Sequence, residues 1–203
     1  PGKPPMPVMK EYFISVEMIR QHILTNVDFR GAGLVFQHLT RSLDQMLIEC
    51  FDEVNPDRAK ASLNLNVETV FTHSFQNLLE KGGKALSSLV LEFRAENILQ
   101  NWDQFQTASE LITSHGGTIA IDAIIPESLG VMDLPRLGAK LAKVFWRPGT
   151  ENSLPKYKET IQNLQQRGTV LVMARVDDEL AIKTAHACGI TMFQGFLIDD
   201  MVR

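Results

Sequence analysis

The chain is poor in the residues that build disulfide frameworks, zinc sites and nucleic-acid-binding faces. It has two cysteines, Cys50 and Cys188, both in segments of helical pattern. The default for such thiols is reduced and buried, as in a cytoplasmic protein. The five histidines, His22, His38, His73, His115 and His186, are nowhere closely paired, so none has zinc-ligand spacing. A basic excess is missing too: the formal charge is -4 and the pI about 5.7, which argues against a binder of nucleic-acid polymers. No apolar run reaches membrane-spanning length and no signal-peptide pattern is seen, so neither a membrane span nor export is expected. No G-x-G-x-x-G follows the first strand pattern, which weakens a nucleotide-binding open sheet.

What remains is an ordinary globular composition, 44% hydrophobic and 22% charged over 203 residues, enough for one domain with a substantial core. Pro1-Gly2-Lys3-Pro4-Pro5-Met6-Pro7 cannot enter a helix or a central strand, so residues 1–10 read as a linker from an upstream region and 11–203 as the domain. Strand patterns are expected over 12–19 (with the option of running into a helix to Leu24), 61–66, 86–93, 118–125, 142–146, 169–174 and 191–197. Helical spacing fills the gaps: 34–51, 70–79 ending at Gly82-Gly83, 98–112 ending at Gly116, a short helix near 134–141, a helix after Pro155 to Gly168, and one capped by Asp177 and closed by Gly189. About seven strands alternating with helices imply parallel strands, in a doubly wound sheet or a β/α barrel. The barrel is favoured, and 203 residues make it a short one.

The stretch that organises the rest is Gly116-Gly117-Thr118-Ile119-Ala120-Ile121-Asp122-Ala123-Ile124-Ile125. A continuous apolar run between turn signals reads as a strand covered on both faces. Asp122 then lies toward its carboxyl end, where parallel α/β folds collect ligands and catalytic groups.

Read as one list, the strand ends carry Asn64, Glu92, Asp122, Lys143 and Gln194-Gly195. That ordered set resembles the EAL domain family, bacterial phosphodiesterases that cut cyclic di-GMP. Leu63-Asn64 resembles the family's "vN", and Leu89-Val90-Leu91-Glu92 its "LxLE". Asp122-Ala123-Ile124-Ile125 stands at "DDFGTG", and Lys143-Val144-Phe145 at "KID". Met173-Ala174-Arg175-Val176-Asp177 matches "AEGVE", and Gln194-Gly195-Phe196 matches "QGY". The resemblance covers roughly 34–197 and implies a TIM-type β/α barrel, shortened or incomplete.

The departures fall on the chemistry. The resemblance implies two divalent metals held by carboxylates that activate water for attack on a phosphodiester. Here the second Asp of the pair is Ala123, the Asp of "KID" is Phe145 and the Glu of "AEGVE" is Ala174. Val16-Glu17-Met18-Ile19-Arg20 is the nearest candidate for the "EALxR" signature. The surviving acids offer at most about three negative charges against about four on two metals, so no metal or other cofactor is expected and no residue is assigned as catalytic. Asn64, Glu92, Asp122, Lys143 and Gln194 become the vestigial site, with Arg94 as an internal counter-ion or phosphate contact. In this reading Arg94 and Lys143 neutralise Glu92 and Asp122, and Trp146 belongs to the barrel wall.

The function implied is a catalytically inactive EAL-like domain. It would act as a protein-interaction or regulatory module in bacterial cytoplasmic signalling, with an unidentified protein partner and room for a homodimer. The alternative is a receptor that binds cyclic di-GMP without cutting it, using Lys143, Arg94, Arg147 and Arg175 on phosphates and Trp146 on a base. Residual phosphodiesterase activity is the third reading.

Overall fold

A computed structural model describes residues 6–22, 33–80 and 86–202 of the chain. Residues 1–5 of the expected linker, Leu24 and Gly82-Gly83 lie outside the described residues. The fold is α/β, of the shortened TIM-like type. Seven strands follow one another in chain order within a sheet, and the pairings of β1 with β2, β4 with β5, β5 with β6 and β6 with β7 are parallel. Contacts divide the chain into two compact units, one of 9–91 and 101–117, the other of 1–8, 92–100 and 118–203.

The first unit opens with β1 (Lys10–Tyr12) and α1 (Val16–His22), so the expected strand over 12–19 is cut to three residues and its apolar remainder turns helical. Ser15 explains the switch: its hydroxyl accepts the Met18 amide at 3.2 Å, a bond that favours a helix start over a strand. Next come α2 (Gly33–Glu49), α3 (Phe51–Val54) and β2 (Ala61–Asn64). Ala61, Ser62 and Leu63 are all buried, so β2 is covered on both faces despite its alternating sequence. A 3-10 turn (Val67–Phe71) leads to α4 (His73–Glu80), which buries Phe75, Leu78 and Leu79 on one stripe. β3 (Leu89–Arg94) begins in this unit and ends in the other. Helical spacing over 98–112 resolves into α5 (Ala95–Gln100), in the second unit, and α6 (Trp102–Ser114), in the first.

The second unit continues with β4 (Thr118–Ile124) and β5 (Ala139–Phe145). The short helix expected near 134–141 does not form. Leu134, Leu137 and Leu141 have helical spacing, but Gly138 takes φ +72° and its amide bonds back to Pro135, closing a turn from which β5 departs at Ala139. α7 (Thr150–Ser153), a 3-10 turn (Leu154–Tyr157) and α8 (Lys158–Gln166) precede β6 (Val170–Ala174). α9 (Glu179–Ala187) is capped by Asp178, not Asp177: the Asp178 carboxylate accepts the Ala181 amide at 2.8 Å. The last strand shrinks to β7 (Met192–Phe193), and α10 (Phe196–Val202) replaces its expected second half.

Both cysteines are free, but only Cys188 is buried; Cys50 is exposed where α2 passes into α3, against the expectation of two buried thiols. Burial pushes the Cys188 thiol up from its ordinary value, the usual state of an inert core cysteine. Among the described residues no helix is long and apolar enough to cross a membrane.

Candidate functional site

β3 and β5 are apolar runs that each carry one charge into the interior. Leu91 and Phe93 are fully buried on either side of Glu92, and Ala142 and Val144 flank Lys143 in the same way. Glu92 is 1% exposed and Lys143 3%, and the Lys143 Nζ lies 2.5 Å from Glu92 Oε2. Either ion alone at that depth would cost several kcal/mol of lost hydration; together they neutralise each other. The sequence reading had Arg94 and Lys143 together neutralising Glu92 and Asp122; Lys143 is the cation seated on Glu92.

Phe145 lies two residues beyond Lys143, on the same face of β5 and nearer the strand end. It pairs in register with Ala174 of β6, and the Arg175 guanidinium carbon sits 4.2 Å over its ring centroid. Three apolar or cationic side chains thus stand where the family resemblance calls for acids or glycine. Arg175 reaches over the ring from a left-handed backbone, φ +60°, and Ala123 holds φ +61° in the irregular register between Ile121 and Ile124. Each such non-glycine residue costs on the order of 1–2 kcal/mol and persists only where its surroundings over-determine it.

The β6 end supplies those constraints. Trp146 donates its amide to the Ala174 carbonyl at 2.8 Å, Gln194 to Met173 at 2.9 Å and Val176 to Gln194 at 3.0 Å. Gln194 therefore serves through its backbone as the splice between β7 and the loop after β6. Gly195 is pressed so close that a Cβ would meet the Val176 nitrogen at 2.3 Å.

Two assignments from the sequence need correction here. Arg94 is exposed at the end of β3, so the buried cation on Glu92 is Lys143 and Arg94 is a solvated side chain. Arg94→Ala is accordingly expected to shift stability by less than about 0.5 kcal/mol in urea unfolding, where a buried counter-ion would cost several. Trp146 is half-buried instead of packed in the wall, and its indole N–H donates to Asp178 Oδ2 at 3.3 Å. Asp122 is half-buried beside Ala123 in the irregular segment of β4.

In the other unit, Asn64 closes β2 and donates its side-chain amide to Glu11 Oε1 at 2.8 Å. Glu11 lies on β1 opposite Ser62. The sequence reading passed over it in favour of Glu17, which is an exposed residue of α1 chelated by Arg20 at 2.6 and 2.9 Å and by Gln21 at 2.7 Å. Those bonds, Arg20 first, hold the Glu17 carboxyl below the usual carboxylate range. Lys10-Glu11-Tyr12 is a strand of three residues, and its register sets Glu11 two residues short of the position opposite Asn64.

These strand ends can be compared with proteins of known structure. The Vibrio cholerae LapD S helix-GGDEF-EAL chain bound to c-di-GMP superposes with a TM-score of 0.67 at 15% identity, over 78% of this chain and 42% of that one. The fold is the one EAL domains share. Klebsiella pneumoniae BlrP1, in a manganese and cyclic-diGMP complex, gives 0.62 at 15% identity over 90% of this chain and 47% of its own. Bacillus subtilis YkuI, a protein with an EAL domain in complex with substrate c-di-GMP and calcium, gives 0.55 at 22% identity over 77% and 41%. The chain therefore spans less than half the length of these structures. By sequence it is 24% identical over 106 residues to an uncharacterized 76.5 kDa protein in the phbC 3' region of Thiocystis violacea, 52% of this chain and 15% of that one. No protein-family model matches the chain.

Proposed function

We propose that this is an EAL-type domain that has given up phosphodiester chemistry and acts as a protein-interaction or regulatory module in bacterial cytoplasmic signalling. The observation that carries the reading is the Lys143–Glu92 pair, an ammonium seated on the carboxylate of the "LxLE" strand. A divalent ion needs several hard oxygen ligands with negative charge to replace its water. The donor set here offers a carboxylate already neutralised by Lys143, with Phe145, Ala123 and Ala174 beside the strand ends. Among the described residues there is no group of three or more His, Cys, Asp or Glu that could hold a metal. This set does not fit a two-metal centre, and no hydrolytic step is derived through one.

The test is incubation of the chain with cyclic di-GMP and excess Mg2+ or Mn2+. The expected result is no linear dinucleotide product and no rise in melting temperature with either metal, since an ion that binds only the folded state would raise it. Linear product above the no-protein control sinks the proposal.

A second reading has its own support. Arg175 over Phe145, with Arg147 and Arg94 exposed near the same strand ends, offers guanidinium groups suited to phosphate, and the LapD, BlrP1 and YkuI structures were determined with the dinucleotide. Calorimetry separates the two: micromolar binding without hydrolysis favours a receptor, and no heat from a folded chain favours the docking module.

A further inference from the structure

We draw no further inference here: the strongest candidate, the surface pocket between the 3-10 turn Val67–Phe71 and α6, lined by Glu68, Phe71, Asp103, Gln104 and Thr107, opens to solvent around two carboxylates, one already paired with Arg41 at 3.1 Å, and nothing in the structure shows what would occupy it.

Discussion

Lys143→Met is expected to destabilise the domain by about 3–5 kcal/mol in urea unfolding, because it removes the ammonium seated on the Glu92 carboxylate in a site that is 1% exposed. The methionine fills nearly the same volume, so little of the loss is packing. What is lost is the ammonium that lies 2.5 Å from a carboxylate shielded from water. The partner experiment makes the argument specific. Replacing both residues, Lys143→Met with Glu92→Leu, removes the buried carboxylate along with the pair and is expected to recover most of the loss, to within about 1–2 kcal/mol of wild type. A single variant as stable as wild type, or a double variant no better than the single, contradicts an internal ion pair.

Gly195→Ala is the second large effect. Its backbone sits at φ +150°, a conformation that L side chains rarely adopt. A methyl built there would meet Val176 N at 2.3 Å, O at 2.5 Å and C at 2.8 Å. These are backbone atoms held by bonds from Val176 to Gln194 and from Leu197 to Val176, at 3.0 and 3.1 Å, and cannot swing aside as a side-chain tip would. Strain and overpacking together are expected to cost about 3–5 kcal/mol, read as a lower urea midpoint with unchanged slope. The measurement also tests the β6 end itself, since Arg175 owes its position over Phe145 to the same fastened loop. Wild-type stability in Gly195→Ala means that the Gln194-Gly195 splice is looser than described.

Much of the fold was legible because its central strands are continuous apolar runs. Leu89 to Phe93, Ile119 to Ile121, Ala142 to Val144 and Leu171 to Ala174 are buried on both faces, and each could be marked from composition alone. The failures share a cause. Leu134, Leu137 and Leu141 have helix spacing, yet a turn closed at Gly138 decides their path; Gly195 and Phe196 continue an apolar stretch, yet the contact with Val176 ends the strand. Apolar spacing reports neither the turn that Gly138 closes on Pro135 nor the approach of Gly195 to the Val176 backbone. The site divides in the same way. Asp122, Glu92 and Lys143 were identifiable as acids and a base at strand ends, and Lys143, with Arg94, as a neutraliser of the two acids. Which arginine stays outside was beyond the sequence: Arg94 follows Glu92 by two positions, but β3 ends at it and its side chain enters solvent. Glu11 was missed because its strand is three residues long, too short for any periodicity to register.

The ammonium on Glu92 differs from a bound ion in one further respect: it is tethered. Lys143 is anchored by its own strand through a four-carbon stem, so its cation cannot diffuse away, exchange with another or be drawn off by a chelator. Its occupancy does not depend on supply. At that position the charge that balances Glu92 is part of the chain itself.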